Sequence, residues 1–316
     1  MRATHKNRPG RKPTVAIVGA GSLASFLAVA LNRAGYVITE IVVRNSQRSR
    51  RRARTPAAKV GAKVVTAQSA VLEATLLWFC VPDREIRNTA SAITDRLREV
   101  EKPGRNRGLR FALHSSGALL SGELDSLRRA GVAVASAHPL MTFVPGTHPS
   151  LLGVPFALEG DSAATDAAKK MIRDLGVESF SLLATRKAAY HAWATMASPL
   201  LLAFLVTLEE AARAAGIPRA DARRKSLPII LQTLANYSKL GPAHSFSGPL
   251  IRGDVETVAK HLSELKRNPG VREVYLALSR AALRKLPVKN KRELQRLLGT
   301  AVRDQSSAIS RQVNRR

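Results

Sequence analysis

Cysteine occurs once in 316 residues, at Cys80, so no disulfide can close within the chain and no cysteine cluster can hold zinc. Aromatic residues amount to only 4%, which disfavours the stacking platforms that grip single-stranded nucleic acid. Acids are scarce too, 23 against 51 Lys+Arg, leaving a formal charge of +28. A surplus that large invites a nucleic-acid reading, but its distribution tempers it. Residues 1–60 hold 13 basic side chains and 1 acidic one, residues 284–316 hold 10 and 2, and the stretch between holds 28 and 20. With 45% hydrophobic residues, the middle of the chain has the composition of a folded protein. No internal repeat, no GxSxG nucleophile turn and no His, Asp or Glu group with metal-ligand spacing occurs, so Ser-His-Asp hydrolysis and a protein-held metal are unsupported.

Two uncharged runs imitate membrane segments. Residues 13–32 follow Arg2, Lys6, Arg8, Arg11 and Lys12 in the outline of a secretory signal, but Gly19-Ala20-Gly21 at their centre has a better explanation. Residues 188–208 are long enough to span a bilayer. They contain Tyr190, His191, Thr195, Ser198 and Pro199 and run into Glu209 and Glu210, so a buried helix is expected, in a soluble cytoplasmic protein with no membrane partner.

What is present is an alternation of short apolar runs and helical stretches. Strands are expected at Val15–Val18, Tyr36–Val43, Val64–Val65, Thr75–Cys80, Phe111–Leu113, Val132–Ser136, Pro155–Leu158 and Gly176–Leu182, with helices at Ser22–Arg33, Arg84–Val100, Ser121–Ala130 and Ala163–Leu175. Arg44–Arg54 carries six arginines without a matching hydrophobic stripe. This order predicts an α/β fold, a doubly wound, mostly parallel Rossmann-type sheet. Beyond about residue 184 long helical stretches take over, at 186–215, 219–239, 254–267 and 270–285, with loop signals at Gly241-Pro242 and Ser247-Gly248-Pro249. The expected organisation is a disordered basic leader (1–12), a Rossmann-type domain (13–184), an all-helical domain (185–287) and a basic, solvated tail (288–316).

The segment VAIVGAGSLA at 15–24 is GxGxxA between a strand and a helix. Gly19 permits the tight turn, Gly21 lets the backbone approach a pyrophosphate, and Ala24 keeps the helix near the sheet. Ala20, Ser22 and Leu23 complete the turn, whose helix amides face the phosphates. Cofactor choice is read at the end of the second strand, where Arg44, Asn45, Ser46 and Arg48 suit the 2′-phosphate of NADP(H). Glu40 is a competing NAD signal, although three apolar residues still follow it within the strand. Val81 and Pro82, in the turn after 75–80, are expected against the nicotinamide, with Asp83 as a helix cap.

Candidates for chemistry sit in the later turns. His114, Ser115 and Ser116 follow one strand and His138 another, all at the ligand-binding edge of such a sheet. Lys187 and His191 share a helix face and could exchange protons with a carbonyl or imine. Ser247 and Arg252 are candidates for an anionic substrate group, with Asp254 as a helix cap.

Taken together, VAIVGAGSLA, Val81-Pro82-Asp83, HSSG at 114–117, HPLMTF at 138–143, YHAWATMAS at 190–198 and SGPLIRGD at 247–254 resemble a family of bacterial proteins that join a Rossmann-like NADP-binding domain to a helical domain of unknown function. The family is similar in plan to pyrroline-5-carboxylate reductase, 6-phosphogluconate dehydrogenase and the β-hydroxyacid dehydrogenases, and the resemblance covers about residues 14–285. It implies an NADP-dependent oxidoreductase that dimerises through its helical domain. The dehydrogenases place an asparagine four residues after their lysine, where this chain has His191, and Pro199 stands where the family often has asparagine. The function expected is hydride transfer to or from a C=O or C=N bond of a small, anionic substrate between the domains. The rival is a non-catalytic NADP(H) sensor or scaffold whose basic ends contact an acidic partner or nucleic acid.

Overall fold

The computed structural model describes residues 12–100, 109–147 and 150–313, which fall into two compact units, Met1–Thr195 and Met196–Arg316. The first unit is an eight-stranded sheet in the order β3-β2-β1-β4-β5-β6-β7-β8, built from β1 (Val15–Val18), β2 (Ile38–Val43), β3 (Lys63–Thr66), β4 (Leu76–Phe79), β5 (Phe111–His114), β6 (Ala133–Pro139), β7 (Phe156–Gly160) and β8 (Ser179–Ser181). All neighbours run parallel except β6 and β7. Successive strand residues point to opposite faces, so the apolar runs feed two cores at once. Val15, Ile17 and Trp78 belong to one, with α1 (Ser22–Arg33), α2 (Gln47–Val60) and α5 (Ser162–Asp174). Ala16, Val18, Leu77 and Phe79 belong to the other, with α3 (Asp83–Val100) and α4 (Asp125–Arg129). Since β1 lies between β2 and β4, the chain reverses its winding there, and the crevice at the carboxyl ends of β1 and β4 is where such sheets bind ligands.

Several expectations are corrected. Arg44–Arg54, read as lacking a hydrophobic stripe, supplies most of helix α2. Ser46 caps it by accepting from the Ser49 amide at 3.2 Å, and a narrow stripe of small residues, Ala53, Pro56 and Ala57, suffices to seat it. The sixth strand extends to Pro139, three residues beyond Ser136, so His138 lies within a strand instead of the following turn; pairing with β7, His138 against Ala157, prolongs it. The leader's residues 1–11 lie outside the described residues. Lys12 belongs to the fold: its ammonium donates to the Ala34 carbonyl and pairs with Asp174 at 2.8 Å.

The second unit is helical: α7 (Pro199–Ala214), α8 (Arg219–Ser245), α9 (Pro249–Arg252), α10 (Val255–Glu264), α11 (Pro269–Lys285) and α12 (Lys291–Val313), while α6 (Lys187–Ala197) spans the division. Gly241, at φ +74°, breaks α8 at the Gly-Pro signal. The segment expected as a solvated tail forms α12, because Leu294, Leu298 and Ala301 recur at helical spacing and close a core with Val258, Leu262, Leu276 and Leu283. The run expected to be a buried helix is neither one helix nor buried. Ser198 and Pro199 divide it into α6 and α7, and within Ala184–Ala214, which meets the length and hydropathy of a membrane span, the apolar window is unburied.

Candidate functional site

The turn after β1 is set by a close contact. Gly19 lies at φ +130°, and a Cβ there would stand 2.3 Å from the Cys80 carbonyl oxygen at the end of β4. Only glycine lets the two strand ends approach, held by Gly19 N–H to Val42 O at 2.8 Å and Cys80 N–H to Val18 O at 2.7 Å. Gly21 is exposed and a Cβ on it would enter open space, so the backbone presents a bare surface at the start of α1. No side chain caps that helix, and its first-turn amides point towards the same place. Ala20, Ser22 and Leu23 are half-buried around the turn. These residues fit the pyrophosphate of a dinucleotide.

At the end of β2, Arg44, Asn45, Ser46 and Arg48 are all exposed. Glu40, the competing acid, is 4% exposed and turned inward, its carboxylate accepting the Val71 amide at 3.0 Å and the Leu72 amide at 3.2 Å. It pins a loop in which Leu72 takes φ +58°, and both carboxylate oxygens are already used there. Val81 is half-buried and Pro82 exposed beyond β4.

A polar cluster gathers at β5, β6, β7 and the start of α6. His114 is fully buried and both ring nitrogens are taken: Nδ1 accepts the Ser116 amide at 3.1 Å, so Nε2 carries the proton and donates to Leu120 O at 3.0 Å. Burial, with Lys187 nearby, lowers its pKa to about 4. Ser115 accepts from the Trp78 indole at 2.8 Å. Ser116 donates to Asp83, the first residue of α3, at 2.8 Å and accepts the Ala118 and Leu119 amides.

Lys187 is 2% exposed. Its ammonium donates to Ser136 Oγ and lies 3.8 Å from Glu159, and Ser136 in turn donates to Ser116 O at 3.0 Å. Glu159 accepts the Ser121 amide and hydroxyl, each at 2.8 Å. Burial brings Lys187 down to about 8, with Glu159 opposing the fall. A buried ammonium so furnished holds β6, β7 and α6 together.

His138 and His191 are only half-buried. His138 Nδ1 meets the Tyr190 hydroxyl at 2.7 Å. Burial holds Tyr190 up at about 12 and, with the charges of Lys187 and His191, holds His138 down at about 4. The phenol therefore stays protonated and donates to Nδ1, which puts the proton of the neutral imidazole on Nε2. That nitrogen faces Gly117, where a Cβ would come within 2.8 Å of it and 2.9 Å of the His191 ring. Gly117 is thus the gap into which two histidines from separate elements converge.

The structure brings His114, Ser115, Ser116, His138, Lys187 and His191 into one cluster. Ser247 and Arg252 are exposed in the second unit, where Asp254 caps α10 as expected, accepting the Thr257 amide at 2.9 Å. Sequence reasoning missed Tyr190, Ser136, Ser121, Glu159 and Gly117. Glu159 left a signal, being the lone acid in the apolar strand FALEG. Among the described residues no group of three His, Cys, Asp or Glu could hold a metal ion.

Comparisons with known proteins match the chain in two parts. A Rossmann-like domain model matches residues 3–139, and a domain of unknown function, DUF2520, matches 154–282. No curated protein matches the chain. Among solved structures, BF3122 of Bacteroides fragilis, provisionally described as an NADP oxidoreductase, is 22% identical with a TM-score of 0.66, covering 85% of this chain and 97% of its own. Protein TM1727 of Thermotoga maritima is 23% identical with a TM-score of 0.64, covering 91% and 99%. A pyrroline-5-carboxylate reductase of Coxiella burnetii is 15% identical with a TM-score of 0.54, covering 94% and 98%. At these identities the likeness establishes the fold. Residues 3–139 thus match a Rossmann-like domain and residues 154–282 a DUF2520 domain, the two-part plan that the separated motifs resemble.

Proposed function

We propose that the chain is an NADP(H)-dependent oxidoreductase that moves hydride to or from a C=O or C=N bond of a small, anionic substrate. One observation carries the cofactor choice: beyond the bare turn at Gly19–Leu23, the acid that would accept ribose hydroxyls, Glu40, is spent on backbone amides, while Arg44 and Arg48 stand exposed. Gly19, Ala20, Gly21, Ser22 and Leu23 would hold the pyrophosphate, and Arg44, Asn45, Ser46 and Arg48 the 2′-phosphate. Val81 and Pro82 would flank the nicotinamide, which supplies the hydride when bound.

Proton handling falls to His138 and His191. His138 Nε2–H donates a hydrogen bond to the substrate oxygen or nitrogen as it gains negative charge, the Tyr190 hydroxyl at Nδ1 holds the ring in the tautomer that keeps Nε2 protonated, and the proton that completes the product comes from solvent. Lys187 and His114, with their polar atoms committed inside the fold, position this pair. Ser115, which accepts from the Trp78 indole and lies 3.9 Å from Cys80 Sγ, would meet the substrate through its hydroxyl, and Ser116, through Asp83, shapes the turn. Ser247 and Arg252 are the proposed contacts for the anionic group.

The active form is proposed to be a cytoplasmic homodimer. Leu200, Leu201, Leu202, Leu231, Leu234 and Tyr237 of α7 and α8 are all exposed. Apolar surface on that scale calls for a cover. The break at Ser198-Pro199 and the Glu209 carboxylate, paired with Arg219 and Arg223, favour a second copy over a bilayer.

The test is NADPH oxidation at 340 nm over a panel of oxo-acids and cyclic imines, beside the double variant Arg44→Ala, Arg48→Ala. Turnover with NADPH is expected, and the variant should bind NADPH at least tenfold more weakly with NADH binding unchanged. NADH preferred by the unaltered protein would overturn the cofactor assignment. NADPH binding without turnover across the panel and cell-extract metabolites would favour the sensor.

A further inference from the structure

Several surface cations of this chain pair with a carboxylate on their own helix. Arg98 pairs with Asp95, Arg128 with Asp125, Arg224 with Asp221 and Lys260 with Glu256, each within one helical turn. On α2, Arg48, Arg50, Arg51, Arg52 and Arg54 are all exposed, and among the described residues no ion pair joins any of them to a carboxylate. Arg50 reaches the side-chain oxygen of Asn45 at 3.3 Å. The sole acid of residues 1–60 is Glu40, which is buried. Arg48 with Arg52 and Arg50 with Arg54 stand at i, i+4, and Arg48 with Arg51 and Arg51 with Arg54 at i, i+3, all spacings at which like charges repel. Arg44 precedes the helix and Lys63 on the adjoining β3 is exposed, so the same sign continues on both sides.

This charge exceeds what the proposed cofactor site needs. A phosphate monoester carries at most about two negative charges, which Arg44 and Arg48 match. Arg50, Arg51, Arg52 and Arg54 remain. From Arg48 to Arg54 the helix rises about 9 Å. A nucleic-acid duplex presents one phosphate charge per about 1.7 Å of axis, hence on the order of five over that length.

We infer that the exposed arginine face of α2 binds the phosphate backbone of duplex nucleic acid without reading its sequence. The fit is one of charge density. No aromatic residue occurs on α2 or β3, so bases have no stacking platform and single strands are disfavoured. A protein partner is disfavoured by the same surface, because the apolar residues of α2 face inward and leave no anchor of the kind that carries most protein interfaces.

The test is fluorescence anisotropy of the full chain with a 20-base-pair DNA duplex of mixed sequence, from 50 to 300 mM NaCl. Arg51→Gln, Arg52→Gln, Arg54→Gln removes three charges outside the cofactor site, and the matching triple lysine variant retains them. The glutamine variant should lose at least tenfold in affinity at 100 mM salt, and its salt slope should fall by about 2.7, or about 0.9 for each phosphate no longer neutralised. The lysine variant should bind as the parent does, and NADPH affinity should be the same in all three. The inference is overturned by undiminished duplex binding in the glutamine variant, by no binding at 50 mM salt, or by tighter binding to single strands. Tighter capture by vesicles containing phosphatidylserine than by the duplex would overturn it as well.

Discussion

In the sheet unit Val15, Ile17, Trp78 and Phe79 are wholly buried, whereas in the helical unit Leu200, Leu202, Ile229 and Leu231 are each more than half exposed. The polar groups run the other way. The sheet unit encloses Ser136, Glu159 and Lys187 around one ammonium and satisfies the buried His114 with backbone groups, while the helical unit keeps most of its charges outside. A doubly wound sheet covers both faces with its own helices and can close around a polar cluster. A helical layer with an apolar outer face is completed only by something else.

Four experiments would break or sharpen this contrast. Lys187→Met leaves Glu159 buried without its cation and should cost the sheet unit about 3–5 kcal/mol in urea unfolding. Adding Glu159→Gln should recover much of that loss, and full stability in the single variant would refute the buried pair. On the helical side, Leu231→Glu with Leu234→Glu should weaken self-association at least 100-fold, about 2.7 kcal/mol, by light scattering. A parent protein that sediments as a 34.1 kDa monomer at high micromolar concentration would contradict the covered face. Gly117→Ala drives a methyl group into His138 and His191 and should cost about 1–3 kcal/mol together with turnover. If crystals of that variant show both rings unmoved, the packing argument fails.

The fourth effect is in pH. His114 and His138 titrate at about 4 in the fold, while unfolded histidine titrates near 6.5. Between those values the unfolded chain binds more protons, so stability should fall as pH drops, by about 1.4 kcal/mol per unit for each histidine. Unfolding at pH 7, 6 and 5 measures the slope, which His138→Gln should lower; an unchanged slope would remove His138 from the account.

Local patterns were legible because local physics made them. The expected helix Ser22–Arg33 is α1 to the residue, since the Gly-rich turn, the apolar spacing and Gly35 all act within a few residues. Helix α2 was missed because its buried stripe is Ala53, Pro56 and Ala57, too weak a hydrophobic signal beside five arginines. The strand that carries His138 was ended three residues too early because the antiparallel partner that extends it lies across a long connection. The run at 188–208 has the composition of a core helix, but whether apolar surface is covered depends on what packs against it.

By itself the sequence determined the alternation that makes a sheet unit, the helical unit that follows, and the strand-turn-helix cradle, because periodicity and glycine act over neighbouring residues. Tertiary structure alone decided the fate of the charged groups. Glu40 became a loop anchor through amides at 71 and 72, and Lys187 an internal strut through Ser136 and Glu159. A buried charge is defined by the partners that desolvation forces on it, and those partners come from distant strands.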